Sequence, residues 1–432
     1  MLDHERYRRW LRTAAGQKRL SELYGQDNDT LRAQTARYAC LFNEYQAVYG
    51  EGADLCLVSA PGRTEIIGNH TDHNRGRVLA AAVNLDTLAL ASPRRDLTLR
   101  LKSEGYALLT LDLGQLEPAP EENGTTASLI RGVAARMSAL GLKIGGFDAV
   151  VTSQVMPGSG LSSSAAFEVA MVGVFDALFN SFSMNAQLRA QAGQYAENVH
   201  FGKPSGLMDQ MASAVGGLVA MDFAKDTPDI EALAFSFAAS GFHLVVVDTR
   251  GSHGDLTPAY SAIQSEMQAV ARAMGAGVLR ERGKEEFTRR LPEIREKTGD
   301  RAVLRALHFY NENERVSRAV GALKAGELGL FFGMVNESGL SSWTLLQNLY
   351  VEPKAQPLAL ALATAREILK DEGACRVHGG GFAGTTLNFV PEDKVAEFTR
   401  RMDSLFGPGS CHVLDVRAEG AALVGPTLDS RQ

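Results

Sequence analysis

Met156-Pro157-Gly158-Ser159-Gly160-Leu161-Ser162-Ser163-Ser164-Ala165-Ala166-Phe167-Glu168 is the stretch that decides how the chain is read. Before it, Phe147 to Ser153 is rich in β-branched residues with partial alternation, which predicts a strand. After it, Ser163 to Leu178 carries a strong apolar helical pattern. A strand, a glycine-rich loop and a helix start together make an anion site. Glycine lets backbone N–H groups approach closely, and the unpaired N–H groups of a first helical turn point outward at the ligand. Three serines add hydroxyls for phosphate oxygens or Mg²⁺. Taken alone, the stretch fits an ordinary turn with serine N-caps equally well.

It is not a Walker A loop, because no Gly-Lys-Ser/Thr follows at the required spacing. It is not a dinucleotide fingerprint, because the third glycine is missing. The stretch resembles the ATP loop of the galactokinase, homoserine kinase, mevalonate kinase and phosphomevalonate kinase (GHMP) superfamily, and Gly-Leu-Ser-Ser-Ser-Ala is similar to its galactokinase version. Met156 stands where that family usually has proline, with Pro157 one place later.

Composition narrows the field. The chain has 432 residues, enough for two domains, with 45% hydrophobic and 22% charged residues. A formal net charge of −6 argues against a general nucleic-acid binder. Cys40, Cys56, Cys375 and Cys411 are widely separated and lack a Cys-x-x-Cys pair, as expected of reduced thiols in a cytoplasmic protein. The charged start is not followed by an apolar signal core, and no apolar run reaches membrane-spanning length.

Outward from the loop, Asp54 to Ala60 reads as a strand, and Val78 to Leu90 as another. Between them lies Gly62-Arg63-Thr64-Glu65-Ile66-Ile67-Gly68-Asn69-His70-Thr71-Asp72-His73-Asn74, dense in polar side chains. A metal site on His70, Asp72 and His73 is the less favoured reading, since no further ligand cluster is evident. Converging hydrogen-bonding groups suit a sugar better. The segment is similar to the galactokinase signature Gly-Arg-x-Asn-Leu-Ile-Gly-Glu-His-Thr-Asp-Tyr-Asn. The resemblance implies that Arg63 stabilises charge in phosphoryl transfer and that Asn69, His70, Thr71 and Asp72 bind the sugar. Asn69 replaces the family's glutamate and His73 its tyrosine, so a sugar bearing a carboxylate would be repelled less.

Further on, Thr125 to Leu142 and Asn185 to His200 are predicted helices. Glu197 and Asp209 have ordinary readings as a solvated helix residue and a helix N-terminal carboxylate. Yet Ala196-Glu197-Asn198 and Gly206-Leu207-Met208-Asp209-Gln210 resemble the galactokinase segment Ala-Glu-Asn…Gly-Ile-Met-Asp-Gln at the same Glu-to-Asp spacing of twelve. By that resemblance Glu197 and Ser164 hold Mg²⁺, and Asp209 faces the anomeric hydroxyl. Lys203-Pro204-Ser205 departs from the family's short polar, cysteine-containing run. Tyr260 matches a sugar-contacting tyrosine, or is a core aromatic at a helix start. Residues 279–301 read as a solvated helix of mixed charge, and Leu304 to Met334 as helical. Asn336 to Trp343 lacks the family's His and Arg.

The last motif, Val377-His378-Gly379-Gly380-Gly381-Phe382-Ala383-Gly384-Thr385, satisfies Gly-x-Gly-x-x-Gly, but a strand follows, so a nucleotide fold is not indicated. It resembles the third galactokinase motif, with Ala383 at a glycine position, implying that this position does not need positive φ. Strands alternating with helices suggest an α+β protein of two domains, 1–238 and 239–432. The resemblance covers roughly residues 21–425. It implies an N-terminal domain like the second domain of ribosomal protein S5 and a ferredoxin-like C-terminal domain. It further implies a galactokinase: Gly158, Ser159, Gly160, Leu161, Ser162, Ser163 and Ser164 bind ATP, Mg²⁺ is the cofactor, and Asp209 and Arg63 serve transfer of the γ-phosphate to the C1 hydroxyl of α-D-galactose. A galacturonate or N-acetylgalactosamine 1-kinase, or a non-catalytic galactose sensor, are the alternatives. Monomer and homodimer are both compatible, with ATP and a sugar as partners and neither nucleic acid nor membrane.

Overall fold

The computed structural model describes residues 4–51, 54–155, 158, 160–203, 205–251, 256–382 and 384–426. It is built on two sheets. The chain begins with three helices, α1 (His4–Leu11), α2 (Ala14–Tyr24) and α3 (Asn28–Tyr49). Thr13 and Asp27 cap the second and third, accepting from Gly16 N and Thr30 N. The first sheet contains β1 (Cys56–Ile67), β2 (Arg77–Pro93), β3 (Thr98–Ser103), β4 (Leu109–Asp112), β5 (Phe147–Ser153), β6 (Leu218–Asp222) and β7 (Asp229–Leu233). Its helices are α4 (Thr126–Ala139), α5 (Ser163–Phe179), α6 (Ala186–Tyr195) and α7 (Met208–Val215).

The second sheet contains β8 (Phe242–Asp248), β9 (Ala374–Val377), β10 (Thr385–Pro391) and β11 (Cys411–Leu414). Between β8 and β9 come α8 (Thr257–Ala273), α9 (Lys284–Arg289), α10 (Leu291–Thr298), α11 (Asp300–Ala325), α12 (Leu328–Ser341) and α13 (Pro357–Leu369). Before β11 lies α14 (Val395–Phe406). The antiparallel order β11-β8-β10-β9 is that of a split β-α-β ferredoxin-like sheet. The chain then returns to the first sheet, where β12 (Ala422–Leu423) pairs with β1. The first sheet runs β12-β1-β2-β5-β3-β4, with β6 and β7 continuing from β2.

Three local readings change. The strand expected to end at Ala60 continues to Ile67, with register shifts at Pro61/Arg63 and Glu65/Ile67. Bulges absorb the Pro-Gly pair without ending the strand, so Arg63 is a strand residue. The helix expected from Asn185 to His200 is α-helical to Tyr195 and then a π-turn over Ala196–Phe201, which carries Glu197. Residues 279–301 fold as a 3₁₀ turn and two short helices rather than one.

Around the first sheet the core is largely apolar, and the charged groups buried in it are held in bonded networks, of which that of Asp86 ties in the N-terminal helices. Asp86, fully buried, accepts from Tyr24 Oη and Arg37 Nη1, both at 2.6 Å, from Arg417 Nη1 at 3.1 Å, and from Ser59. Two arginines and two hydroxyls compensate the loss of hydration, which is the condition under which a buried carboxylate stays charged. The network fastens α2 and α3, β1 and the C-terminal segment into one body.

Candidate active site

The phosphate-loop candidate joins β5 to α5. Met156, Pro157 and Ser159 lie outside the described residues. Gly160 has φ 74°, and a Cβ there would fall 2.5 Å from Thr385 Oγ1 and 2.7 Å from His378 Nδ1. Both the left-handed backbone and the close approach therefore require glycine. Leu161 buries its side chain, while its carbonyl accepts from Arg63 N at 3.0 Å, which ties the loop to β1. Ser162 sits at the N-cap of α5 with φ 59° but makes no capping hydrogen bond. Its hydroxyl donates instead to Asp209 Oδ2 at 2.6 Å, leaving the helix N-terminus to an external acceptor. Ser163 opens α5.

Asp209 lies in the first turn of α7, and Arg63 grips it with a two-pronged contact, Nε to Oδ1 and Nη2 to Oδ2, both 2.7 Å. The remaining prong of the guanidinium, Nη1, donates to the Gly160 carbonyl. Burial works to raise the Asp209 pKa, but Arg63, Ser162 and Lys203 outweigh it and hold it below the ordinary carboxylate range. Asp209 is therefore ionised at neutral pH.

One residue on, Gln210 points the other way. Its Nε2 donates to Glu168 Oε2 at 2.9 Å and to Glu197 Oε2 at 3.0 Å. Glu197 also accepts from Ser205 Oγ at 2.5 Å on Oε2, and from Ser164 Oγ at 3.2 Å and Lys203 Nζ at 2.6 Å on Oε1. Ser164 and Glu197 offer two hard oxygen donors. That fits Mg²⁺, which binds through one or two protein groups and keeps the rest of its shell for water and phosphate. Among the described residues, no cluster of three or more His, Cys, Asp or Glu is arranged around a metal. Glu168 is fully buried with Oε1 unpartnered; burial and the Glu197 charge raise its pKa well above the usual value. Pro204 lies outside the described residues.

The sugar-motif residues divide into two groups. Asn69, His70 and Tyr260 dock the third motif through its successive carbonyls. Asn69 Nδ2 reaches Gly379 O at 2.7 Å, His70 Nε2 reaches Gly380 O at 3.1 Å and Tyr260 Oη reaches Gly381 O at 2.9 Å. A carbonyl only accepts, so His70 carries its proton on Nε2; burial lowers its pKa to about 4 and keeps it neutral. Asn69 is fully buried, its Oδ1 accepting from Asn348 Nδ2 at 2.9 Å. Thr71 is also buried, its hydroxyl bonded to the carbonyls of Gly68 and Arg77. Asp72 approaches the segment leading into the Asp209 helix: a Cβ on Gly206 would lie 1.9 Å from Asp72 Oδ2, so any side chain there would displace the carboxylate. Ala383 lies outside the described residues.

Sequence reasoning passed over three participants. Glu65 stands where the quoted signature has asparagine, and Asn69 where it has glutamate, so the two side-chain types are exchanged. They touch, with Asn69 Nδ2 3.1 Å from Glu65 Oε1. Arg376, fully buried, pairs with the same Oε1 at 2.8 Å. His378 bridges the two sheets, Nε2 to Thr64 Oγ1 and Nδ1 to Thr385 Oγ1, both 3.0 Å. Burial, Arg63 and Arg376 hold it neutral. The Glu65 exchange was visible in the signature; Arg376 and His378 had no local signal. A cavity of about 610 Å³ lined by Ala262, Arg301, Arg305, Trp343, Tyr350 and Phe382 adjoins this region, and the Phe382 ring packs edge-on against Tyr260.

Residues 43–93 match the galactokinase galactose-binding signature, and residues 128–217 match the GHMP kinase N-terminal domain. Lactococcus lactis galactokinase, solved with galactose, superposes with a TM-score of 0.79 at 25% identity, over 90% of this chain and 100% of that one. Methanococcus jannaschii mevalonate kinase gives 0.59 at 14% identity over 83% and 98%. Streptococcus pneumoniae phosphomevalonate kinase gives 0.56 at 14% over 84% and 96%. The latter two establish a shared fold. By family model and by fold the chain is similar to the GHMP kinases. Among them, the signature over residues 43–93 and the superposition on the Lactococcus lactis enzyme make galactokinases the group it resembles. None of the described helices is long and apolar enough to cross a membrane.

Proposed function

We propose that the protein is a galactokinase that transfers the γ-phosphate of ATP to the anomeric C1 hydroxyl of α-D-galactose. One observation carries the reading. Ser162 and Ser164, on the first turn of one helix, hydrogen-bond Asp209 and Glu197 respectively, so the phosphate-loop candidate joins a hydroxyl-orienting carboxylate to a metal-ligand carboxylate.

In this reading the uncapped start of α5 and the glycine backbone receive the nucleotide phosphates. Asp209 accepts the hydrogen bond of the sugar O1–H and aims O1 at the γ-phosphorus. With a depressed pKa it is a weak base, so its main work is orientation, and it takes the proton as O1 loses charge to phosphorus. Arg63 stays on Asp209 and offsets charge that develops beside it. Ser164 and Glu197 would hold Mg²⁺, which neutralises phosphate charge when bound.

Galactose is favoured over galacturonate by Glu65. The carboxylate missing from position 69 is present at position 65 in the same hydrogen-bonded network, so Asn69 no longer argues for an acidic sugar. Rates of ADP formation with galactose, galacturonate and N-acetylgalactosamine test the assignment. Preference for galactose is expected. Preference for either other sugar would move the assignment to it, and inertness with all three would favour a non-catalytic sensor.

A further inference from the structure

The two carboxylates of the site have unlike cations. Asp209 is held by a guanidinium that reaches both its oxygens and is 8% exposed. Glu197 is held by Lys203, whose side chain is 56% exposed and whose Nζ has Glu197 as its one hydrogen-bond partner among the described residues. Lys203 belongs to the run that departs from the family pattern.

The contact falls on a particular oxygen. Glu197 Oε2 is fixed by Ser205 and Gln210. Oε1 faces Ser164 Oγ at 3.2 Å, which makes it the oxygen assigned to the metal, and Lys203 Nζ lies on that same atom at 2.6 Å. The carboxylate cannot turn to present a different oxygen without breaking both contacts on Oε2. Its side chain is 3% exposed and stands one glutamine away from Glu168, so it needs a positive partner at all times. A lysine supplies one on a flexible stem with a single point charge, which leaves more readily than a forked guanidinium. Gly202, at φ 82°, precedes it at the end of the π-turn.

We infer that Lys203 is an exchangeable counter-ion. Its ammonium holds Glu197 Oε1 in the metal-free protein and must vacate that oxygen for Mg²⁺-nucleotide to bind. The inference rests on the assignment of Ser164 and Glu197 to the metal. Lys203 then competes with the metal and sets the Mg²⁺ concentration at which the site fills.

Metal binding to protein saturated with a non-hydrolysable ATP analogue, followed by Mn²⁺ titration calorimetry, tests it. Lys203→Met keeps the stem and removes the charge. It should bind Mn²⁺ about fivefold more tightly than the parent, the worth of one ordinary ion pair. It should melt lower in metal-free buffer, and the gap should close once Mg²⁺ and the analogue are added. Lys203→Arg keeps the charge on a fork that leaves less readily, so it should bind Mn²⁺ no more tightly than the parent and melt no lower in metal-free buffer. Equal Mn²⁺ affinity in parent and Lys203→Met would overturn the inference alone, as would a Lys203→Arg protein that binds as tightly as Lys203→Met. Absence of nucleotide-linked Mn²⁺ binding in the parent would overturn the metal assignment and the inference with it.

Discussion

Asp209 and Glu197 sit twelve residues apart on neighbouring helical segments, yet the protein treats them differently. Asp209 belongs to a closed unit: two 2.7 Å contacts to Arg63 and one to Ser162 fix its plane. Glu197 belongs to an open one, with one oxygen anchored and the other under a solvent-reaching lysine. A group that orients a hydroxyl gains from being immobile. A group that receives an ion needs a partner that can leave. On the proposed roles, the difference between arginine and lysine is a difference of task.

The sharpest way to break the comparison is Asp209→Asn. Shape and the Ser162 contact survive, but the charge that polarises O1–H is lost. Turnover should fall by about 10²–10⁴-fold while galactose binding, read by calorimetry, stays near the parent value. Near-normal turnover would remove Asp209 from its role. Next in size is Arg63→Lys, which keeps the charge and loses the fork. It should cost about 10²-fold in turnover, whereas Lys203→Arg, measured at saturating Mg²⁺, should leave turnover within about threefold of the parent. Equal losses at the two positions would erase the distinction between them.

Gly160→Ala tests the loop's seat. A Cβ would collide with His378 and Thr385 in a backbone region unfavourable to alanine. A destabilisation of about 1–3 kcal/mol is expected in urea denaturation, with a raised KM for ATP.

The smallest effect is a pH dependence of opposite sign at two acids. The Asp209 pKa is depressed in the folded protein, so its contribution to stability is present above the unfolded carboxylate pKa of about 3.9 and is lost as pH falls through the lower folded value. The Glu168 pKa is raised, so its contribution is complete below the unfolded value of about 4.3 and is lost as pH rises through the folded one. Glu168→Gln should therefore retain stability towards neutral pH that the parent loses, while Asp209→Asn should flatten the acid side. Denaturation midpoints across pH read both.

Much of this was legible in the sequence because the signals were local. Phe147–Ser153 was read as a strand from its β-branched residues and is β5, and the apolar run after Ser163 is α5. The serine run stood out by itself; Glu197 and Asp209, ordinary helix carboxylates by local pattern, were named by the family resemblance of their segments, and the structure brings all of them together. What could not be read was non-local. Asn69 is placed by Gly379, 310 residues away, and by Asn348, 279 away, so its burial on the glycine loop has no signature near position 69. Arg63 lies on a strand because bulges in β1 accommodate Pro61 and Gly62, a feature of pairing with β2 rather than of composition. Lys203 looked like a departure in a turn; its meaning emerged only from the oxygen it touches.

The central claim is a transfer to one particular hydroxyl, and ³¹P NMR of the protein incubated with Mg-ATP and galactose addresses it directly. The expected result is ADP together with a phosphate ester coupled to the anomeric proton, absent with Asp209→Asn. Unchanged ATP, or an ester on a hydroxyl other than O1, would contradict the account.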